Sequence, residues 1–348
     1  MKRKALLLAL TAALFLTGCS TAVTESVTES ADSSDAIRIG MSFDTFVLER
    51  WIRDRDIFVS TASELGAEVN VQNANGDADE QAAQVEYLIE KDIDVLVIVA
   101  VDGENEQLMS AIRKAQDKNI KVIAYDRSIK NANADLHVSF DNKKVGTLMA
   151  EAVLSQIPEN GKIAALLGSP ADNNVVLVEE GIQEVLESAG QSLVYKNYAD
   201  NWKAEYAYDQ MNQYLDEYGD VDAVICGNDG LAAMAFKALS EHRMLDHVCL
   251  VGQDADIDAC QRIVEGTQYM TVYKSIEQLA KQTAQYAVKL ARDEPLELTD
   301  TFFDGTWDVP FLKLEPVAVT MENIDREIID SRFHLRSEVY LNVEDTDV

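Results

Sequence analysis

Polar side chains and one tryptophan follow the ends of several predicted strands along this chain of 348 residues. At residues 125–127 ("YDR") and 252–256 ("GQDAD"), an apolar run ends and planar hydrogen-bonding groups begin. Carboxylates and amides accept from hydroxyl groups, guanidinium and ammonium groups donate to them, and an aromatic ring covers a face of C–H bonds. Recognition of a sugar requires these groups. The candidate ligand-binding residues are Arg50, Asp126, Arg127, Asp172, Asn174, Trp202, Asn228, Asp254 and Lys274.

Each candidate also has an ordinary structural explanation. An aspartate directly after a strand often caps a helix or forms a turn. Arg50 has Glu49 and Asp54 nearby in the sequence as possible surface partners, and Lys274 is one of many cations at a helix start. The set as a whole therefore favours a binding site more strongly than any single member does.

The alternation of apolar runs with amphipathic stretches predicts how these strand ends come together. A first βαβ series runs from "IRIGM" through "VLVIVA" to "KVIAYD", and a second begins at "KIAALLG" and ends at "VCLVGQDAD". Strands that are apolar throughout are typical of parallel sheets covered on both faces. The pattern predicts an α/β fold of two doubly wound parallel-sheet domains, interpreted as a divergent duplication. In such sheets ligands bind beyond the carboxyl ends of the strands, where the candidates lie.

The N-terminus has the parts of an export signal. Three basic residues precede a short apolar run, and "LTGC" ends at Cys19. We expect residues 1–18 to be a lipoprotein signal peptide, because "LTGC" resembles the lipobox in which the cysteine receives a lipid. A conventional secretory signal is the alternative. Residues 19–36, rich in Ser, Thr and acidic groups, are predicted to be a flexible tether. The protein is thus expected to be extracytoplasmic and lipid-anchored to the cell membrane.

Charge and motif content exclude several other functions. Lys and Arg number 30 against 61 Asp and Glu, giving a net charge of -31 that repels nucleic acid. We find no Ser-His-Asp arrangement, no phosphate-binding glycine loop and no metal-ligand spacing, so no catalytic residue, metal or cofactor is predicted. Cys226, Cys249 and Cys260 are interpreted as structural, and whether any two of them pair is left open.

Six segments together carry a resemblance to a known family: "LERWIRDRDIFV", "VIAYDR", "SFDNKKVG", "GSPADNN", "GQDADI" and "GTQYMTVYKSI". In the same order over about residues 37–333, the chain is similar to the periplasmic D-xylose-binding proteins of sugar ABC transporters, within the ribose- and galactose-binding group of type I solute-binding proteins. The resemblance implies that the same nine candidates contact a pentose.

The resemblance also implies a hinge of crossing strands between two sugar-binding lobes. We expect residues 37–141 plus 274–303 to form the N-terminal lobe and residues 142–273 plus 304–340 to form the C-terminal lobe. The crossings are expected near residues 139–142, near 271–274 and around 304–307.

The resemblance helps to interpret "LERWIRDRD" at residues 48–56, where six charged residues surround a tryptophan. Arg50 corresponds to the family's sugar-binding arginine, and Trp51 is expected to pack or to line the cleft edge. The charged residues at positions 53–56 are expected to form helix-surface and interdomain pairs. One departure lies in "YADNW", where Asn201 stands at a turn that commonly carries glycine in the family.

The function implied is that of a lipid-anchored receptor that closes around one monosaccharide, with D-xylose favoured, and delivers it to an ABC permease and its ATPase. A sugar-sensing subunit that signals to a membrane histidine kinase is the alternative. Sugar-responsive repressors of similar architecture carry an N-terminal helix-turn-helix in place of this export signal. A glycosidase is a weaker reading, because carboxylates are too abundant here for their spacing to indicate one.

Overall fold

The computed structural model describes residues 36–47 and 49–343. The predicted signal peptide, Cys19 and all but the last residue of the tether lie outside these residues. Within the two described ranges, no helix combines the length and apolar character needed to cross a membrane.

The first lobe is built on a seven-stranded sheet in the order β11-β12-β5-β4-β3-β1-β2. Its neighbouring strands are parallel except β11 and β12, which form an antiparallel hairpin. The strands are β1 Ile37–Phe43, β2 Ala67–Asn73, β3 Val95–Ile98, β4 Lys121–Tyr125, β5 Leu136–Phe140, β11 Thr301–Phe303 and β12 Asp308–Leu314. The helices are α1 Glu49–Glu64, α2 Ala78–Ile89, α3 Glu106–Asp117 and α9 Ile276–Ala291.

The second lobe is built on a six-stranded sheet in the order β13-β10-β9-β8-β6-β7, in which only β10 and β13 pair antiparallel. The strands are β6 Ile163–Leu167, β7 Leu193–Tyr198, β8 Ala223–Cys226, β9 Cys249–Gln253, β10 Met270–Tyr273 and β13 Val317–Val319. The helices are α4 Asn142–Gln156, α5 Asn173–Ser188, α6 Glu205–Tyr218, α7 Asp229–Glu241, α8 Ile257–Val264 and α10 Arg336–Val339, with a 3-10 helix at Asp200–Trp202 and a π-helix at Asp325–Ile329.

Both sheets are buried on two faces, which explains why their central strands are apolar throughout. In β3, Val95 and Val97 face one hydrophobic core with α1 and α9, whereas Leu96 and Ile98 face another with α2 and α3. The same alternation divides β6 between two cores of the second lobe. Each fully buried aliphatic side chain contributes about 1.5–3 kcal/mol, so these cores hold the strand ends in place. The predicted fold class is confirmed.

Three segments join the lobes. The chain crosses after β5 at residue 141, after β10 at residues 274–275, and after β12 at residues 315–316. The first two lie where the sequence predicted them, but the prediction of a third crossing at 304–307 is wrong. Those residues form the turn of the β11–β12 hairpin, where the Asp304 carboxylate accepts from the backbone N–H groups of Thr306 and Trp307.

The hairpin also changes the expected lobe boundary. Strand β12 pairs with β5 over residues 311–314, so this part of the predicted second-lobe segment 304–340 belongs to the first sheet. Strand β13 and the helices after it pack with the second lobe, as expected for the remainder.

Candidate functional site

All nine candidate residues line one cleft between the lobes, whose space, including its open mouth, is about 480 Å³. Arg50 lies in the first turn of α1, and Asp126 and Arg127 follow β4. Lys274 lies in the second crossing. The remaining five lie in second-lobe loops and helix starts beyond the strand ends: Asp172, Asn174, Trp202, Asn228 and Asp254.

Arg50 is the centre of a buried charge cluster. Its Nη2 donates to Asp126 Oδ2 at 2.8 Å, its Nε lies 3.5 Å from Asp54 Oδ2, and its Nη1 lies 3.8 Å from Asp254 Oδ1 across the cleft. The guanidinium stacks 4.2 Å above the centre of the Trp51 ring. With only 8% of its surface exposed, Arg50 is fixed in orientation by these contacts.

Arg127 joins the two lobes. Its Nη1 donates to Asp44 Oδ2 at 2.6 Å and to the Ala100 carbonyl at 3.1 Å, both in the first lobe. Its Nε lies 2.8 Å from Asp172 Oδ2 of the second lobe. Planar donors that meet carboxylates in this way are well suited to hold hydroxyl groups in a defined geometry.

Asp126 adopts a left-handed backbone conformation, with φ of 61°, in the turn after β4. The Ser139 hydroxyl donates to its carbonyl at 2.6 Å, which holds this turn against β5. Its Oδ1 accepts from Asn174 Nδ2 of the second lobe at 3.0 Å. Asn174 Oδ1 in turn accepts from Asn142 Nδ2 at 2.9 Å.

Close helix packing places Asn142 beside Asn174. A Cβ atom on Gly146 of α4 would overlap the carbonyl oxygen of Val178, and one on Gly181 of α5 would overlap that of Lys143. Glycine at both positions therefore lets the two helix backbones touch, which brings their N-terminal ends to the same point in the cleft.

Asp254 and Lys274 form the opposite wall. Asp254 Oδ1 lies 2.8 Å from Lys274 Nζ, and both side chains are largely buried. Asp254 has a left-handed φ of 96° and Ala255 has a φ of 55°. Non-glycine residues adopt such angles only where their surroundings hold them.

Two second-lobe candidates also serve as helix caps. Asp172 accepts from the backbone N–H of Asn174 at 2.9 Å, and Asn228 accepts from that of Leu231 at 2.9 Å. The ordinary structural explanation therefore holds for both residues, and their placement in the cleft holds as well. Each cap fixes, beyond the end of a strand, a side chain that lines the cleft.

Trp202 ends the 3-10 helix that follows β7. Its Nε1 donates to Asp172 Oδ2 at 3.3 Å, and its ring lies directly against Gly168, where any Cβ would overlap it. Asn201 has a φ of 51° and Trp202 a φ of 57°. Asparagine tolerates the left-handed region better than most residues, which explains how Asn201 replaces the family's common glycine.

Burial and opposite charges set the ionisation of the first-lobe groups. Burial opposes a charge on Asp126, but Arg50, Lys274 and Arg127 together hold its pKa below the usual value. Burial likewise opposes the charge on Arg50 and on Arg127, and their carboxylate partners raise both guanidinium pKa values above the usual range. Arg50, Asp126 and Arg127 are therefore charged at neutral pH and present fixed donors and acceptors to the cleft.

The structure corrects the prediction for the charged run after Trp51. Asp54 is fully buried, not on the helix surface, and accepts from the Tyr125 hydroxyl as well as facing Arg50. Burial raises the pKa of Asp54 to about 6, and the Arg50 charge limits the rise. Arg53 donates to the Phe333 carbonyl of the second-lobe segment at 3.2 Å, which is an interdomain contact as expected. Arg55 forms a surface ion pair with Asp56 at 2.7 Å.

Several cleft residues were not among the candidates. Trp51 is 1% exposed and lies under both arginines, so it lines the cleft as well as packing. Gln253 donates to the Gly227 carbonyl, and within the described residues its Oε1 has no hydrogen-bond partner. Gln253 directly precedes Asp254 and could have been found by the strand-end rule. Asn142 and three apolar residues, Leu167, Val175 and Val178, complete this part of the lining.

Among the residues that the structure describes, no group of His, Cys, Asp and Glu is arranged to hold a metal ion. Cys226, Cys249 and Cys260 are buried and unpaired with one another, which answers the question of a disulfide among them. Burial raises the pKa of each of these thiols above its usual value, so they are unreactive core residues.

Two α/β lobes with mostly parallel sheets, three crossings and a polar cleft between them define the type I periplasmic-binding-protein fold. The chain belongs to the family described as periplasmic binding protein domain, whose model matches residues 39–295.

Relatives and solved structures agree with this assignment. The chain is 43% identical over 316 residues to a D-xylose-binding periplasmic protein of Haemophilus influenzae, covering 89% of this chain and 94% of that protein. It is 39% identical over 344 residues to a D-xylose-binding periplasmic protein of Escherichia coli, covering 97% of this chain and 100% of that protein. A carbohydrate transporter solute-binding protein of Chloroflexus aurantiacus, solved in complex with D-glucose, superposes with a TM-score of 0.80 at 27% identity, covering 88% of this chain and 98% of that one.

Proposed function

We propose that this protein is a lipid-anchored, extracytoplasmic binding protein that closes around one monosaccharide, with D-xylose favoured, and delivers it to an ABC permease and its ATPase. One observation carries the proposal. Fixed hydrogen-bond donors and acceptors from both lobes converge with Trp202 on a single cleft. A small polyhydroxyl ring offers both the hydroxyl edge and the C–H face that such a cleft matches.

Contacts across the cleft support binding by closure. Asp126 to Asn174, Arg127 to Asp172 and Arg50 to Asp254 each join groups from different lobes. A sugar held by the same groups makes its full set of hydrogen bonds only when the lobes are together. Its binding energy therefore favours the closed state over the open one.

The choice of D-xylose is supported by the names of the two relatives at 43% and 39% identity. Glucose is the main competitor, because the Chloroflexus structure contains it in the same fold. A pentose lacks the exocyclic CH₂OH group of a hexose. The apolar side chains Leu167, Val175 and Val178 add to the cleft wall but supply no partner for an extra hydroxyl.

Titration calorimetry of the purified protein with D-xylose, D-ribose, D-galactose and D-glucose tests the ligand. We expect D-xylose to bind most tightly and to raise the melting temperature, because a ligand that binds only the native state stabilises it. Tighter binding of another sugar would reject D-xylose and leave the sugar-binding proposal standing, whereas no binding by any sugar would reject both. Incubation with chromogenic xylosides should release no dye.

Delivery to a permease is tested separately from binding. Co-purification from detergent-solubilised membranes, with and without D-xylose, should recover permease subunits in preference to a membrane histidine kinase. Recovery of the kinase instead would favour the sensing alternative. Neither result depends on which sugar binds.

A further inference from the structure

Asp229 is a fully buried carboxylate that lies behind the cleft wall and does not line the cleft. It begins α7 directly after the candidate Asn228. Its Oδ1 accepts from Gln268 Nε2 at 2.9 Å, and its Oδ2 accepts from the Thr271 hydroxyl at 2.7 Å and from the backbone N–H of Asp256 at 3.1 Å. A buried carboxylate with donors at both oxygens is held in one orientation.

Thr271 completes the connection to the cleft. Its hydroxyl oxygen accepts from the backbone N–H of Ala255 at 3.1 Å while it donates to Asp229. Two consecutive backbone N–H groups, those of Ala255 and Asp256, are therefore held by the Asp229–Thr271 pair. These are the groups that follow Asp254, in the segment where Asp254 and Ala255 both have positive φ.

We infer that Asp229 and Thr271 are positioning residues that hold the Asp254 loop in its left-handed conformation and so aim the Asp254 carboxylate at the sugar. This inference rests on the proposed function and names the residues that set the geometry of its site. The two anchors act together with the Asp254 N–H, which donates to the Val272 carbonyl at 2.9 Å, to keep the loop at angles that non-glycine residues avoid.

The chemistry of the network explains why the anchor is an aspartate. Gln268 Oε1 accepts from Arg262 Nε at 2.9 Å, which fixes the Gln268 amide with its nitrogen toward Asp229. An asparagine at position 229 would place its own NH₂ group opposite a donor in either orientation. Glycine is required at position 252 for the same arrangement, because a Cβ there would overlap Asp229 Oδ1.

Matched threonine variants test the inference. Thr271→Val removes the hydroxyl at nearly constant volume, and Thr271→Ser retains it. We expect Thr271→Val and Asp229→Asn each to weaken sugar affinity by about 10-fold, the loss of roughly one well-placed hydrogen bond in the site, and Thr271→Ser to bind like the parent. Thr283→Val is the control, because Thr283 is equally buried but donates to Leu279 within α9 of the first lobe. It should lower the melting temperature without changing affinity.

A double variant distinguishes positioning from general destabilisation. In an Asp254→Ala background, Thr271→Val should produce no further loss of affinity, because the group that it positions is gone. Unchanged affinity of both Asp229→Asn and Thr271→Val, or a full further loss in the Asp254→Ala background, would overturn the inference.

A measurement without ligand separates this inference from the proposed function. Hydrogen exchange at the Ala255 and Asp256 amides should be slow in the parent and faster in Asp229→Asn and Thr271→Val. Unchanged exchange in both variants would reject the anchoring role whatever the protein binds. If the parent binds no sugar but exchange is faster in the variants, the proposed function is rejected and the anchoring role is retained.

Discussion

Replacement of Asp254 by alanine should separate affinity from stability. The carboxylate is expected to accept from two neighbouring sugar hydroxyls in the closed cleft. Its removal leaves those hydroxyls unpaired and also removes the ion-pair partner of Lys274, whose Nζ lies 2.8 Å from Asp254 Oδ1. Leaving such groups unsatisfied costs about 2–4 kcal/mol, so affinity should fall by about 30-fold to 1000-fold. In the variant, Arg50 still has Asp126 and Asp54 as ion-pair partners. In the free protein, opening of the lobes lets water reach Lys274, so the fold should remain intact.

Calorimetry gives the affinity of Asp254→Ala, and thermal unfolding followed by circular dichroism gives its stability. Asp304→Ala is the matched control, because Asp304 is also a buried carboxylate but accepts from backbone N–H groups of the β11–β12 turn and, at 2.8 Å, from that of Asn133 in the β4–β5 connection. It should lower stability and leave affinity unchanged. Parent-like binding by Asp254→Ala, with a loss in Asp304→Ala, would refute the placement of the sugar against this wall.

Three further predictions concern other parts of the chain. Gly168→Ala should weaken sugar binding measurably by calorimetry, since the added methyl group displaces the Trp202 ring; parent-like affinity would show that this ring does not hold the ligand. Burial lowers the pKa of His137 to about 4, so the unfolded chain binds a proton that the native protein excludes, and stability should be lost as pH falls below about 6.5. Urea unfolding gives the free energy of unfolding of the parent and of His137→Gln at each pH. Between pH 7 and 4 this free energy should fall by about 3 kcal/mol more in the parent than in the variant, and an equal fall in both proteins would contradict the prediction. Cys19→Ala should move the protein from the membrane to the soluble fraction, as judged by fractionation and blotting; continued membrane association would reject the lipobox assignment.

Much of the site could be predicted because parallel sheets follow a rule that can be applied to the sequence alone. Apolar runs mark the strands, and the residues that follow them must meet at one edge of each sheet. This rule and the family resemblance selected the same nine residues, and the structure places all of them around one cleft. Their role as sugar contacts stays a prediction, which the calorimetry above addresses.

Burial of charged residues was harder to predict. Asp54 lies four residues after Arg50 on α1, a spacing that is also typical of surface ion pairs. Only the tertiary structure reveals that Tyr125 of β4 contacts the same carboxylate and that water is excluded. Sequence reasoning alone could not distinguish these two environments, because the deciding partner lies 71 positions away.

The prediction of the lobe boundary was wrong for a related reason. Asp304 and Gly305 are turn signals, and a turn between two sheets has the same local chemistry as a turn within a hairpin. Pairing of β12 with β5, which are far apart in sequence, decides between the two. Such pairing depends on which edge of the sheet is free, and local sequence does not record that.

The charge cluster around Arg50 and Arg127 sets a limit on the chemical state of any ligand. Three cations (Arg50, Arg127 and Lys274) face five carboxylates in and directly behind the cleft: Asp44, Asp54, Asp126, Asp172 and Asp254. An aldonic acid or a sugar phosphate would bring further negative charge into this water-poor space and meet repulsion with no cation left to neutralise it. The cleft should therefore exclude oxidised and phosphorylated derivatives of the sugar that it accepts. D-xylonate added at large excess should fail to displace the bound sugar, so that oxidation products in the surroundings do not compete for the cleft.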